Sequence, residues 1–234
     1  MTTPTPTSDE RLRTLETVLA DALKFLGHDA REGHSSTLAL LELQRVKADP
    51  MPAAVLSQRL EANARKALAA IDDFAELARA RTRPLRLEEV DLVDLVGEAV
   101  ADAWAGAAQR GVRVQVRMRP DAVPGRADRE MLAAALTKLL AAAVVDAERR
   151  GDIVCDLLAD PSGWCFELEG PASLDRGPPD ASAAPPPAMA LARVVAQRHG
   201  GHFEVVSPGQ EREICRLSLP THLFPVSAGQ RDNG

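Results

Sequence analysis

The chain has 234 residues, a formal net charge of −6 and few aromatics, with no Tyr. That length accommodates one large or two modest domains. The acidic balance argues against a nucleic-acid binder, whose surface is usually basic. No apolar run reaches the roughly 18 residues needed to cross a bilayer, so no membrane contact is expected. With so few aromatic residues, the core must be built from Leu, Val and Ala, which suits closely packed helices. Cys155, Cys165 and Cys215 are scattered and lack metal-ligand spacing. They read as buried thiols in a reducing compartment, and no metal site is expected. The start, Met1 to Glu10, is polar and unlike a signal peptide, which points to a cytoplasmic protein.

Residues 1–8 are expected to form a disordered tail, with Ser8 as N-cap of a helix running to about Lys47. Its apolar rhythm is Leu12, Leu15, Leu19, Ala22 and Leu26, resuming at Leu40 and Leu43. Between these the seam turns polar, at Asp29, Gly33 and Ser36. A plain coiled coil has no reason for that interruption. His28 lies off the seam and is expected to face outward, with Lys24 and Arg31 on the same face. Ala48-Asp49-Pro50-Met51-Pro52 breaks the helix, and Pro52 suits the first turn of the next. That second helix extends to about Arg81, with Leu56, Leu60, Ala64, Ala67, Ile71, Phe74 and Leu77 on one face. Two such helices cannot bury their stripes alone. A homodimer forming a four-helix bundle solves this.

From Pro84 the texture changes. A strand over 85–90 leads to Asp91, which caps a helix to about Arg110; Val112 to Met118 alternates as a strand. A helix over about 129–149 follows. Next comes a hairpin of Ile153–Leu158 and Trp164–Leu168, then a Pro/Ala/Asp-rich loop from Gly170 to Pro187. A helix over 188–198 ends at Gly200-Gly201, where a C-cap is expected. His202–Val206 and Ile214–Leu219 form a last hairpin. The fold class is α+β: a helical hairpin over 9–83, an α/β sandwich over 84–222, and a tail over 223–234.

This order of elements resembles the sensor histidine kinases. Phe25-Leu26-Gly27-His28-Asp29-Ala30-Arg31, Leu38 to Gln44 and Asp73 to Ala80 match their dimerisation and phospho-acceptor hairpin. Glu89-Val90-Asp91-Leu92, the stretch around Trp104, and Ala192 to Gly201 are similar to their ATP-binding domain. The resemblance spans about residues 12 to 220, and it implies that His28 is the phospho-acceptor.

The departures fall on nucleotide chemistry. The two Asn of the family's third helix, one of them a Mg²⁺ ligand, correspond to Lys138 and Ala142, and the following Lys to Val145. The adenine-reading Asp-x-Gly-x-Gly appears as Leu168-Glu169-Gly170-Pro171-Ala172. The glycine-rich phosphate lid appears as Pro185 to Leu191, with three prolines and no glycine. Prolines carry no N–H with which to hold a phosphate. No cofactor is therefore expected, and Mg²⁺ is needed only on a partner receiver domain.

A neutral imidazole is a competent nucleophile toward phosphorus. Asp29 can hold Nδ1–H and leave Nε2 of His28 free, while Lys24 and Arg31 can balance phosphoryl charge. The expected function is phosphotransfer through His28 between aspartates of response-regulator receiver domains, fed by an upstream hybrid sensor kinase. The alternative is a catalytically inactive pseudokinase acting by mixed dimerisation or partner binding. His34, His199, His202 and His222 lack a partner pattern and read as structural or surface residues.

Overall fold

The structure, a computed structural model, describes residues 15, 16, 19, 30–46, 51–117, 120–147, 151–160, 162–171, 185–209 and 212–226. The expected N-terminal tail, the loop segment 172–184 and residues 227–234 lie outside that set. The chain divides into two compact units, Met1–Arg83 and Pro84–Gly234.

In the first unit, helix α1 (Ala30–Val46) packs on α2 (Ala53–Thr82). Pro52 is not in the first turn of α2 but caps it, with ψ 137 and no side-chain bond to the helix. The connection is fixed by Gln44 instead. Its Nε2 donates to the Met51 carbonyl at 2.8 Å, and its Oε1 accepts from the Met51 N–H at 2.9 Å. Helix α2 ends because Arg83 precedes Pro84, which forces it into extended backbone at φ −67, ψ 136.

The second unit carries a five-stranded sheet in the order β2-β4-β5-β7-β6 and a two-stranded ribbon, β1-β3. The strands are β1 (Glu88–Asp91), β2 (Val114–Val116), β3 (Pro124–Ala127), β4 (Ile153–Asp160), β5 (Gly163–Pro171), β6 (His202–Val206) and β7 (Arg212–Pro220). Helices α3 (Leu92–Arg110), α4 (Arg129–Ala147) and α5 (Pro187–Arg198) pack with α4 between the other two. Asp91 caps α3 by accepting from Val93 N–H at 2.9 Å, and the same oxygen accepts from Val123 N–H at 3.0 Å. The cap thereby ties the ribbon to the helix.

The register places Leu157, Phe166, Leu217 and Phe203 side by side across four strands, all buried. The next row on the opposite face is Asp156, Glu167, Arg216 and Glu204. There Arg216 Nε lies 2.6 Å from Glu167 and its Nη1 lies 3.7 Å from Glu204. The guanidinium is held strongly charged by its bond to Glu167. One sheet face is thus apolar and the other a ladder of charge, the alternation that period-2 strands impose.

Four assignments differ from expectation. Strand β3 was not foreseen, because Pro124-Gly125-Arg126-Ala127 contains no residue with strong strand preference. It forms because β1 and the end of the chain hold it: Arg126 N–H donates to the Leu223 carbonyl at 3.0 Å. Gly125 permits this, since a Cβ there would lie 2.2 Å from the Phe224 ring. The tail expected from 223 is accordingly wrong at its start: Leu223 and Phe224 are core residues. The stretch 85–90 gives a strand only from Glu88, and 112–118 only the short strand β2. Cys155 and Cys165 are buried as expected, but Cys215 is only half-buried, and all three are free thiols. Burial pushes the Cys155 thiol up to about 12, so it is inert.

Candidate functional site

His28, Asp29 and Lys24 lie outside the described residues, and Arg31 lies inside α1 as part of its backbone helix. Helix α1 is described from Ala30, two residues past His28. His34, in the second turn of the described helix, is exposed. Within the hairpin, half-buried positions recur at 3–4 spacing, Thr37, Leu40 and Gln44 on α1 and Leu56, Leu60, Asn63, Ala67 and Ala70 on α2, and every position from Asp73 to Ala78, Phe74 and Leu77 among them, is half-buried. Asn63 and Ala70 replace the expected Ala64 and Ile71 in that seam. Ala64 and Ile71 belong to a second stripe of α2 with Leu68, which is 61% exposed, and Leu38 and Leu41 of α1 are exposed as well. The hairpin therefore has two apolar faces and satisfies one of them.

The nucleotide-binding face expected from the sequence falls on α4, β5 and the start of α5. Lys138 and Ala142 are half-buried, one turn apart on α4, and Val145 on the same side is 57% exposed. Leu168 is buried in β5, between Cys155 of β4 and Cys215 of β7. The acid beside it, Glu169, points to the opposite face of the sheet, where it meets Arg212 at 2.6 Å. A shift of one residue therefore does not restore a carboxylate on the helix-covered side. Ala172 lies outside the described residues. Pro186 caps α5 in extended backbone at φ −51, ψ 146, and Pro187 opens the helix. Residues 185–187 present no N–H at all.

The opposite end of the same helices is polar and satisfied. Asp128, buried, caps α4: its Oδ1 accepts from Met131 N–H at 3.1 Å and its Oδ2 from Arg86 N–H at 2.9 Å. Its own N–H donates to Nε2 of His199 at 3.0 Å. The other ring nitrogen of His199, Nδ1, lies 2.7 Å from the Val195 carbonyl. A backbone N–H can only donate and a carbonyl only accept, so His199 is neutral with its proton on Nδ1. Burial pushes its pKa down, against the opposing pull of the Val195 carbonyl and the Asp128 charge. Gly200, in left-handed backbone at φ 74, ends the helix just beyond. Sequence reasoning left His199 as structural or surface, and the structure makes it structural. Asp128 was missed, although an Asp three residues ahead of Met131 at a helix start is a recognisable cap signal.

No protein-family model and no curated protein matches this chain. Solved structures do. The chain is 16% identical to the histidine kinase AdeS of Acinetobacter baumannii over 82% of its own length and 98% of that chain, at a TM-score of 0.64. It is 13% identical to the histidine kinase ThkA, solved in complex with the response regulator TrrA, over 89% of its length and 64% of that chain, at 0.69. A histidine kinase from Burkholderia phymatum is 23% identical over 92% of this chain and 100% of that one, at 0.51. The fold is that of the histidine kinases: a mixed α/β domain preceded by helices. Among the described residues no helix is long and apolar enough to cross a membrane.

Proposed function

We propose that the chain is a homodimeric histidine phosphotransfer protein, built on a kinase fold that does not use ATP. The observation that carries this reading is the nucleotide face. Leu168 offers no acceptor to an adenine amine, Ala142 offers no oxygen to Mg²⁺, and Pro185 to Pro187 offer no N–H to phosphate. The residues present do not fit a nucleotide–metal complex, so no step runs through one. The hairpin needs none of that machinery. In our reading Nε2 of His28 attacks the phosphorus of an aspartyl-phosphate on a receiver domain. The P–N bond forms as the P–O bond breaks, and the receiver's carboxylate leaves. Asp29 holds Nδ1–H, Lys24 and Arg31 lie beside the transferring charge, and the reverse step hands the group to a second receiver. The phosphate donor at the head of this chain of transfers would be a receiver of a hybrid sensor kinase. Among the related folds, ThkA forms a complex with a response regulator, which supports receivers as partners. The second apolar stripe of the hairpin supports a dimer, and the whole would act in the cytoplasm.

A second reading, a pseudokinase that only binds partners, is favoured by the exposed Val145 in the middle of the old nucleotide face. One experiment separates the two. Full-length protein is incubated with a receiver phosphorylated by a small-molecule phosphodonor. Phosphotransfer predicts an acid-labile, base-stable label on wild type and none on His28→Ala. Absence of label on the folded wild type, with several receivers, selects the pseudokinase. Label surviving His28→Ala removes His28 as the acceptor.

A further inference from the structure

Strand β2 is an edge of the sheet, since among the described residues only β4 pairs with it. Its ladder to β4 uses alternate residues: Ile153 N–H donates to the Arg113 carbonyl at 3.0 Å and Arg117 N–H to the Cys155 carbonyl at 2.8 Å. In a parallel pair the intervening residues, Val114 and Val116, therefore aim their N–H and C=O groups away from β4, along the free edge. Beside that edge lies a groove of about 200 Å³ between the last turns of α3 and the strand, walled by Trp104, Ala107, Ala108, Gly111, Val112 and Val114. Trp104 is 58% exposed and Val116, whose neighbour in the inward row is the buried Cys155, is 44% exposed. These are two of the three large apolar side chains left exposed among the described residues of this unit.

Arginines outnumber acids around the edge. Alternation puts Arg113 and Arg117 on the outward face, opposite to Val114 and Val116. Arg110 stands at the end of α3. Two acids answer them: Asp152 lies 3.6 Å from Arg113, whose side chain remains 75% exposed, and the register carries Asp156 beside Arg117 on the same outward face. This basic edge belongs to a chain whose net charge is −6.

We infer that β2 and the Trp104 groove form a docking site for an extended protein segment that alternates apolar and acidic residues. Such a segment adds a strand to β2 through the main-chain groups of Val114 and Val116. Its inward side chains extend the apolar layer over Trp104 and Val116, and its outward side chains lie beside Arg113 and Arg117. Both halves of the specificity follow from period-2 geometry, and neither involves the hairpin or the phospho-acceptor. Adding a strand also caps an otherwise open edge.

The test uses full-length protein and three synthetic peptides labelled with a fluorophore. One alternates Val or Ile with Glu or Asp. The second keeps that composition with the apolar residues grouped together. The third replaces the acids by Lys. The expected result is anisotropy-detected binding of the first peptide at least tenfold tighter than of the other two, weakened by salt, with a change in Trp104 emission. Trp104→Ala and Val116→Pro should each weaken it tenfold or more. Pro is tolerated at Val116 because the lost N–H serves only the free edge. The double change Arg113→Glu and Arg117→Glu should shift preference to the Lys peptide, which a merely misfolded variant would not do. The inference is overturned if the alternating peptide binds no better than the grouped one, or if the variants bind as wild type does. It is also overturned if Val116→Pro lowers the mass of the unliganded protein, because the edge would then belong to a second copy.

Discussion

The two units of the chain treat apolar surface in opposite ways. Among the described residues the hairpin holds a single buried apolar side chain, Ala80, while the rest of the buried apolar side chains lie in the α/β unit. Nine large apolar side chains stand exposed on the hairpin, against Trp104, Val116 and Val145 in the α/β unit. An isolated pair of helices has one interface and so hides one stripe. The α/β unit closes a sheet under three helices and completes its core within one chain. The difference teaches where to look for partners. On the proposed dimer the hairpin takes a continuous apolar partner, whereas the α/β unit has two small, separate exposed places, the β2 edge and the surface around Val145.

The largest effects should come from breaking this contrast at its roots. Leu68→Asp or Ile71→Asp should halve the mass seen by light scattering. Each places a carboxylate in the middle of the second stripe, and a buried unpaired charge costs several kcal/mol. The α/β unit should stay folded. Phe166→Ala should do the reverse, lowering stability by about 3–5 kcal/mol through a cavity under the helices while the mass of the folded protein stays dimeric. Should Leu68→Asp leave the mass unchanged, the exposed stripe is not the dimer face. Next in size, calorimetry with ATP and Mg²⁺ should detect nothing tighter than about millimolar, on the order of −4 kcal/mol. Micromolar affinity would mean that a different set of groups replaces those missing near Leu168 and Ala142.

The comparison also marks what could be seen in the sequence. The helix stripes, the Asp91 cap and the Gly200 turn are written in local spacing, and each was legible. Strand β3 was not, because its residues dislike strands and are held by Leu223 and Phe224 from the far end of the chain. The seam of α2 was displaced onto Asn63 and Ala70 because its stripe is two adjacent stripes, and periodicity alone does not say which one faces α1. The expected departures at Lys138, Ala142, Leu168 and the prolines concern which atoms are present, and nucleotide calorimetry is what tests them. The β2 edge was invisible in principle: only the strand order shows that the main-chain groups of Val114 and Val116 have no second strand beside them among the described residues. His28, with Asp29 and Lys24, remains a reading of sequence, and labelling after phosphotransfer is what tests it.

The smallest effect sharpens the contrast inside the α/β unit, between its satisfied polar end at Asp128 and His199 and the exposed face around Val145. His199 is held neutral by two bonds that accept no second proton: Nε2 takes the Asp128 N–H, and Nδ1 gives its hydrogen to Val195. Burial lowers its folded-state pKa below the roughly 6.5 of an unfolded histidine. The facing charges, Asp128 and Arg198, pull in opposite directions, the first raising and the second lowering it. The sign follows. Above about pH 6.5 both states are neutral at this position and its contribution to stability is whole. As pH falls below that, the unfolded chain takes up a proton that the folded one resists, and stability drops until the folded pKa is passed. One proton limits the slope to about 1.4 kcal/mol per pH unit. His199→Gln cannot titrate, so urea midpoints followed by the emission of buried Trp164 should fall less between pH 7.5 and 5 in that variant than in wild type. Parallel falls would mean that the Asp128–His199 contact tolerates a charged ring, and that this end of the fold is looser than its hydrogen bonds imply.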